Sequence, residues 1–268
     1  MPLVSIIIPT YNRSNLLKRA IQSVLEQTLQ DYEIVVVDDC SKDNTQGIVN
    51  SFQDERIKYI KLDKNSGGSL IPRTTGVEKS SGKYIAVLDD DDFWVDKSKL
   101  AIQIMYFENH PECVLIGTDA IAFNGNSTIL AKHHYPKTYL DIKKHMLMQN
   151  CFFHSSVVYR RDILKQIGGF TLVNGGFYNN FVNEYELWLK FGIIGELINL
   201  PIYGVGYTYS SKFLKMRDRL DFLKRHLKIT WKYKQYYSNF IKASIFNCII
   251  TILELPFLIW IKRIVRKY

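Results

Sequence analysis

The apolar run VSIII (4–8), β-branched on both sides of its axis, predicts a strand buried on both faces. Beyond it Leu17, Ala20, Ile21, Val24 and Leu25 recur three and four apart, which predicts an amphipathic helix that Ser14 can cap. EIVVVDD (33–39) repeats the strand pattern, and Asp43 can cap a helix carrying Ile48 and Phe52. IKYIKL (57–62) predicts a third strand, a helix follows NSGG to about Ser80, and YIAVL (84–88) predicts a fourth strand. This rhythm of strand and helix implies a mostly parallel, twisted sheet flanked by helices. In such sheets ligands bind beyond the carboxyl ends of the strands. The polar clusters PTYNRS, DDCSKD and DDDD stand at those ends, so they are expected to converge on one site.

From about His110 the pattern loosens into the short strands CVLIGTD and SSVVY, a Gly-Gly-Phe turn at 168–170 and a helix around NEYELWLKFG. From Tyr207 onward the chain reads as helical, basic and aromatic. The pattern therefore divides into 1–110 and 111–206, two halves of one domain, and a tail, 207–268.

Composition adds that 268 residues at 47% hydrophobic suffice for a large core and exclude disorder. Four scattered cysteines, Cys40, Cys113, Cys151 and Cys248, have no metal-ligand spacing and suit a reducing, cytosolic compartment. The N-terminus has no basic start and reads as a first strand, not a signal peptide.

Charge changes the picture of the tail. Residues 207–268 hold 14 Lys/Arg against 3 Asp/Glu, a net of +11, while the remainder carries 21 against 23. An anionic surface is the partner this implies. ASIFNCIITILELPFLIWI (243–261) approaches a membrane span in length, but Glu254 and Pro256 interrupt it and Lys/Arg flank both ends. Ser244, Asn247, Thr251 and Glu254 make one polar stripe, which predicts a helix lying in the membrane plane. Packing on the catalytic domain or on a second copy of the chain is the alternative, so a homo-oligomer stays open. Basic tails also bind nucleic acid, but this one is thick with aliphatics and holds no recognised module, so nucleic acid is not expected as a partner.

The chemistry concentrates in Asp89-Asp90-Asp91-Asp92, four adjacent carboxylates with no Lys or Arg among them. Positive charge is expected to reach them from outside the sequence. Hard oxygen ligands in a cluster suit Mg²⁺ or Mn²⁺, shared with substrate phosphates. Asp89 and Asp91, two apart, can face one ion; a solvated acidic turn is the plainer reading of the run alone. The second pair, Asp38-Asp39, favours the metal.

VSIIIPTYNRSNLLKRAIQSVLEQTLQDYEIVVVDDCSKDNT resembles the N-terminal signature of the family 2 glycosyltransferases, inverting enzymes of the GT-A fold. GKYIAVLDDDDFW is similar to that family's Asp-x-Asp segment, and GGF with NEYELWLKFG to its C-terminal catalytic segment. The likeness covers roughly 3–200 and leaves the tail outside. It implies a nucleotide-sugar donor in the first half and an acceptor in the second. Pro9, Thr10 and Tyr11 would line the nucleoside pocket, with Tyr11 on the base. Asp39 would accept the ring N–H of uracil unless it merely caps a helix, and Asp38 would shape the pocket. Arg73 would grip the diphosphate or else sit on a helix surface, and Asp90 would position the donor sugar. Asp89 and Asp91 would hold Mn²⁺ or Mg²⁺ against the leaving diphosphate, and Asp92 would support that shell or cap a helix.

For the general base the family supplies the aspartate of a Glu-Asp pair, where this chain reads Asn183-Glu184. Glu184 takes the base position with Glu186 in reserve, and its extra methylene displaces the carboxylate by about 1 Å. His133-His134 read as a solvated turn in preference to an acceptor contact, and His154 as a core histidine in preference to a lining residue of the acceptor cleft.

The expected activity is inverting transfer from a UDP-sugar to a lipid-linked glycan for a bacterial surface polysaccharide, by a cytoplasmic enzyme peripheral on the inner membrane face. Transfer onto polyprenyl phosphate and a non-catalytic nucleotide-binding scaffold are the alternatives.

Overall fold

The computed structural model describes residues 1–124, 127–170, 177–209 and 216–253. The chain forms two compact units, Met1–Ile142 with Cys151–Ser210, and Lys143–Asn150 with Ser211–Tyr268. In the first unit nine strands make one sheet: β1 (Val4–Thr10), β2 (Tyr32–Asp38), β3 (Ile57–Lys61), β4 (Tyr84–Val87), β5 (Asp92–Trp94), β6 (Cys113–Phe123), β7 (Ile129–His133), β8 (Val158–Arg160) and β9 (Glu196–Thr208). Their order is β3-β2-β1-β4-β8-β6-β9-β5, with β7 added on β6. β3, β2, β1 and β4 run parallel. Beyond β4 the sheet is mixed, with β8 antiparallel to β4 and to β6, and β9 parallel to β6.

Every residue of β1, β2 and β4 is buried, as strands covered on both faces require. Ser5, within the apolar run of β1, donates to Glu33 Oε1 at 2.6 Å and accepts the Gly82 N–H at 2.8 Å. The register sets Thr10 opposite Asp38, so the loops after β1 and β2 leave the sheet side by side.

Helix α1 (Ser14–Leu25) buries Leu17, Ala20, Ile21 and Val24 on the face the periodicity predicts. Its cap differs from expectation. Ser14 is the first helical residue and makes no cap; its N–H instead donates to Asp43 Oδ2 at 2.9 Å. The other Asp43 oxygen accepts the Thr45 N–H at 3.2 Å and the Thr45 hydroxyl at 2.5 Å, at the head of α2 (Thr45–Asn50). One carboxylate thus serves two helix N-termini, whose free N–H groups attract negative charge. Helix α3 (Leu70–Lys79) lies close on β1, where a Cβ on Gly76 would stand 2.5 Å from Ile7 Cγ2. The remaining helices of this unit are α4 (Lys99–Asn109), α5 (Tyr139–His145, whose last three residues fall in the second unit), α6 (Arg161–Gln166) and α7 (Phe177–Ile194).

β5, β7 and β9 are strands the sequence pattern does not predict, and β9 takes Tyr207 and Thr208 from the expected helical tail. Pro201 falls where the pairing jumps from Thr118↔Leu200 to Asp119↔Tyr203, a bulge that needs no N–H from it. Gly204 and Gly206 mark close approach: a Cβ would stand 2.4 Å from Thr118 Oγ1 on the first and 2.6 Å from the Phe93 ring on the second.

The second unit contains α8 (Met216–Tyr233) and α9 (Phe240–Leu253). Ile229, Tyr233, Tyr237 and Ala243 are buried, and Trp231 meets Phe240 edge-on at 5.5 Å. Part of the polar stripe packs on protein: Ser244 is half-buried, and the Asn247 amide donates to the Leu147 carbonyl at 3.3 Å. Ile241, Ile245, Phe246 and Ile249 are exposed on α9, with Lys242 exposed beside them. Glu254, Pro256 and the rest of the apolar stretch to 261 lie outside the described residues. Among the described residues no helix is long and apolar enough to cross a membrane.

Candidate active site

The loops after β1 and β2 are tied to one another. Asn12 donates its N–H to Ser41 Oγ at 2.9 Å, and its side-chain oxygen accepts the Lys42 N–H at 2.7 Å. Asn12 and Cys40 both hold left-handed backbone, φ 53° and 66°, which costs about 1 kcal/mol or more each and persists only where neighbours enforce it. Asp38 is buried with both oxygens engaged, by the Ser41 N–H at 2.7 Å and the Tyr59 hydroxyl at 2.5 Å. Asp39 accepts the Ser66 N–H at 2.9 Å and the Asn65 amide at 3.0 Å. It therefore pins the NSGG loop and does not cap α2, while each of its oxygens retains a lone pair. Burial raises the Asp39 pKa, with Asp38 adding to the effect against the Ser66 hydrogen bonds. Pro9 and Thr10 are buried, and Tyr11 presents an exposed ring at the rim.

The acidic run supplies its own cations from elsewhere in the chain, which corrects the expectation that positive charge comes only from outside. Arg13 Nη1 lies 3.0 Å from Asp90 Oδ1 and 2.8 Å from Asp91 Oδ2. Arg19 donates to the Asp91 carbonyl at 2.6 Å, and Arg73 Nη2 pairs with Asp89 at 2.5 Å. Asp90 also accepts the Thr10 hydroxyl at 2.8 Å, and burial nonetheless pushes its carboxyl up to about 6. Burial likewise raises Asp91 and Asp92, assisted by the Asp89 charge, whereas the Arg73 guanidinium overcomes burial at Asp89 and holds it down. Oxygens of Asp89, Asp91 and Asp92 all lie within 4.8 Å of one another. A donor set of three such oxygens fits a divalent cation. Asp92 joins the two expected ligands and does not cap a helix; the residue at the head of α4 is Asp96, which accepts from the N–H and hydroxyl of Ser98.

Arg73 is 4% exposed, which removes the surface-helix reading. Its guanidinium reaches two carboxylates at once, Asp89 through Nη2 and Glu184 through Nη1. Burial opposes its charge, but the two carboxylates prevail and raise its pKa. Glu184, on α7, is buried. Burial pushes its carboxyl up to about 7, with Arg73 pulling down and Asp89 pushing further up. Its second oxygen, Oε2, faces His154 Nδ1 at 3.3 Å. Glu186, the reserve base, is also buried, but Arg73 and His154 converge on Glu184.

The glycosyl transferase family 2 model matches residues 5–168. TuaG of Bacillus subtilis (strain 168), named for teichuronic acid biosynthesis, is 31% identical over 91% of this chain and 98% of its own. The UDP-Glc:alpha-D-GlcNAc-diphosphoundecaprenol beta-1,3-glucosyltransferase WfgD of Escherichia coli is 34% identical over 85% of this chain and 84% of its own. The chain belongs to glycosyl transferase family 2. Among solved structures, the mannosyltransferase PcManGT of Pyrobaculum calidifontis, in complex with GDP-Man and Mn²⁺, aligns with a TM-score of 0.63 at 16% identity. That alignment covers 95% of this chain and 70% of PcManGT. The fold of this family 2 transferase is GT-A.

Sequence reasoning missed Arg13 and Arg19, read His154 only as a core histidine, and placed Ser155 and Ser156 in a strand where the chain makes a 3-10 turn, His154–Ser156. Arg13 sits inside the quoted PTYNRS, three residues past Thr10, and only the β1–β4 pairing shows that it meets the acidic run. His154 and Ser155 carry no local signal, because their partners are 30 and 63 residues away or more. His133 is the last residue of β7 and pairs with the Tyr207 hydroxyl at 2.9 Å, which corrects the solvated-turn reading for it, whereas His134 follows the strand and is exposed, with Asp119 and Tyr203 on either side.

Proposed function

We propose that this transferase moves a sugar, with inversion, from a UDP-sugar to a lipid-linked glycan during surface polysaccharide synthesis, with Glu184 as general base. The observation that carries the reading is Arg73, one buried guanidinium with a cation-ligand candidate on one side and a base candidate on the other. A base needs an unprotonated carboxylate with a pKa near the working pH, and the burial of Glu184 supplies that condition. Asp89 and Asp91, with Asp92 beside them, are the residues that would hold Mn²⁺ or Mg²⁺, and Arg13 on Asp91 marks the place as one that accepts a cation. Such an ion, when bound, neutralises charge building on the departing diphosphate.

The other residues act through position. Tyr11 offers a face for the base, Asp39 a lone pair for its ring N–H, and Pro9, Thr10 and Asp38 the walls of that pocket. Asp90, fixed by Thr10 and Arg13, stands where it can orient the donor sugar. Arg73 restrains the charge of Asp89 and Glu184, and with a donor bound its fork also suits a diphosphate oxygen. Glu184 takes the proton of the acceptor hydroxyl as that oxygen attacks the anomeric carbon.

A lipid-linked acceptor is supported by the name of WfgD and by the second unit, where Ile241, Ile245 and Ile249 form an exposed stripe in a tail of net +11. That pairing of apolar face and basic charge fits the anionic inner face of a cell membrane. Calorimetric titration of UDP-, dTDP- and GDP-sugars with and without Mn²⁺ tests the donor reading. A UDP-sugar whose binding is Mn²⁺-dependent, and loses that dependence in D89A/D91A, is the expected result. Equal transfer by D89A/D91A and the native enzyme would overturn the metal reading.

A further inference from the structure

We propose that His154 is a positioning residue for the base: with its proton on Nδ1 it donates a hydrogen bond to Glu184 Oε2 and fixes that carboxylate toward the acceptor. This rests on the reading of Glu184 as the base. The geometry is on both sides of the carboxylate. Arg73 takes Oε1, and His154 Nδ1 stands 3.3 Å from Oε2, so the two oxygens are held by different elements. Catalytic hydrogen bonds often lie long and poorly aligned before substrate arrives and tighten in the complex. Both His154 ring nitrogens are buried although the residue is part-exposed, and neither has a hydrogen-bond partner, the approach of Nδ1 to Oε2 being close but not aligned as a hydrogen bond. Leaving both nitrogens unmatched would cost about 1–3 kcal/mol each, so a ring facing a carboxylate oxygen has one evident use. Burial and the Arg73 charge lower the His154 pKa to about 3, which leaves the ring neutral and able to donate from one nitrogen only.

The turn that carries His154 also reaches the acidic run. Ser155 donates to Asp92 Oδ2 at 2.5 Å and accepts the Asp89 N–H at 3.0 Å, and its carbonyl takes the Trp94 indole N–H at 3.0 Å. The His154–Ser156 turn is therefore one short, immobilised piece of chain that touches the base and two cation-ligand candidates. It also accounts for the glutamate where the family has aspartate. The longer side chain carries its carboxylate about 1 Å further, a displacement that matters on the order of 100-fold in rate, and Arg73 and His154 together take up the added reach.

The test uses the full chain with its UDP-sugar donor. H154F keeps a ring in the space but removes the donor, whereas H154N can place an amide N–H where Nδ1 stood. Loss of one hydrogen bond to a charged group predicts a kcat for H154F lower by about 10- to 100-fold, with the donor KM within twofold and H154N recovering most of the rate. An H154F kcat within twofold of native would overturn the proposal, as would equal losses in H154F and H154N. If these variants do not fold, ¹⁵N-labelled histidine in the native enzyme decides by NMR. A proton on Nδ1 is expected, and one on Nε2 overturns the assignment. E184Q separates the two readings: if it transfers sugar at the native rate, the base assignment itself fails. If E184Q is inactive while H154F is not, only His154 loses its role.

Discussion

At the scale of single residues, the site is governed by how few charges are left to water. Arg73 serves Asp89 and Glu184 from inside the protein, so its removal leaves the buried Glu184 and the half-buried Asp89 without the cation they share. R73M is expected to destabilise the fold by about 3–5 kcal/mol, measured by urea unfolding, and R73K to recover little of it because an ammonium cannot fork. The same environment sets the pH dependence of transfer. Glu184 must be ionised to take a proton, and burial raises its pKa to about 7. kcat/KM is therefore expected to fall below pH 7, about tenfold per unit once the carboxyl is protonated, and to level off above it. A pH–rate profile with its acid limb near 4 would show that burial does not control the base. R73M, if it folds, should move the limb upward, because Arg73 opposes the effect of burial. These residues also mark the limit of the sequence. The run of four aspartates is visible at once, but its partners Arg13 and Arg73 lie 77 and 16 residues from the acids they meet. The pairing is a property of the sheet, which brings β1 and α3 beside β4, and no local pattern encodes it.

At the scale of elements, periodicity found what periodicity can find. β1, β2 and β4 are continuous apolar runs buried at every residue and α1 is a periodic stripe, so their existence follows from the placing of Ile, Val and Leu and their parallel order from the alternation of strand and helix. β9 follows from neither, because Pro201, Gly204 and Gly206 are there for a bulge and for close contacts with Thr118 and Phe93. Capping failed for a related reason: Ser14 is adjacent in sequence, yet Asp43 comes from the next loop and reaches both α1 and α2. D43A should cost about 1–2 kcal/mol in urea unfolding, more than S14A, since two helix heads lose an acceptor. The sign with pH follows from the Asp43 pKa, which the hydrogen bonds of Thr45 and Ser14 lower against burial. Its contribution is present above the ordinary carboxylate pKa and is lost as pH falls through the lowered one. The native protein and D43A should accordingly converge in stability in acid. If the gap between them is unchanged at low pH, the carboxylate charge is not what joins the helices.

At the scale of the whole molecule, two chemistries are carried by one chain: an acidic catalytic rim in the first unit, and a basic tail with an outward apolar face in the second. The excess of cations in residues 207–268 was legible from counting and a polar stripe from spacing, but which way each face of α9 points was not. Asn247 turns toward Leu147, and Ile241, Ile245 and Ile249 are left at the surface. Three isoleucines at successive turns would each lose roughly 1.5–3 kcal/mol of transfer free energy by staying in water, a cost that a lipid surface removes. Each Lys or Arg close to an anionic leaflet adds about 1 kcal/mol, and that part is screened by salt. The chain should therefore float with vesicles containing phosphatidylglycerol and bind far less to pure phosphatidylcholine, with the difference shrinking as salt rises from 0.05 to 0.5 M (about a threefold fall in Debye length). I241N/I245N/I249N should lose the salt-resistant part of the binding while UDP-sugar affinity stays within twofold. Flotation of that triple variant indistinguishable from native would assign the isoleucine face to a protein contact instead, and a concentration-dependent change in sedimentation would then identify a second copy of the chain as the partner.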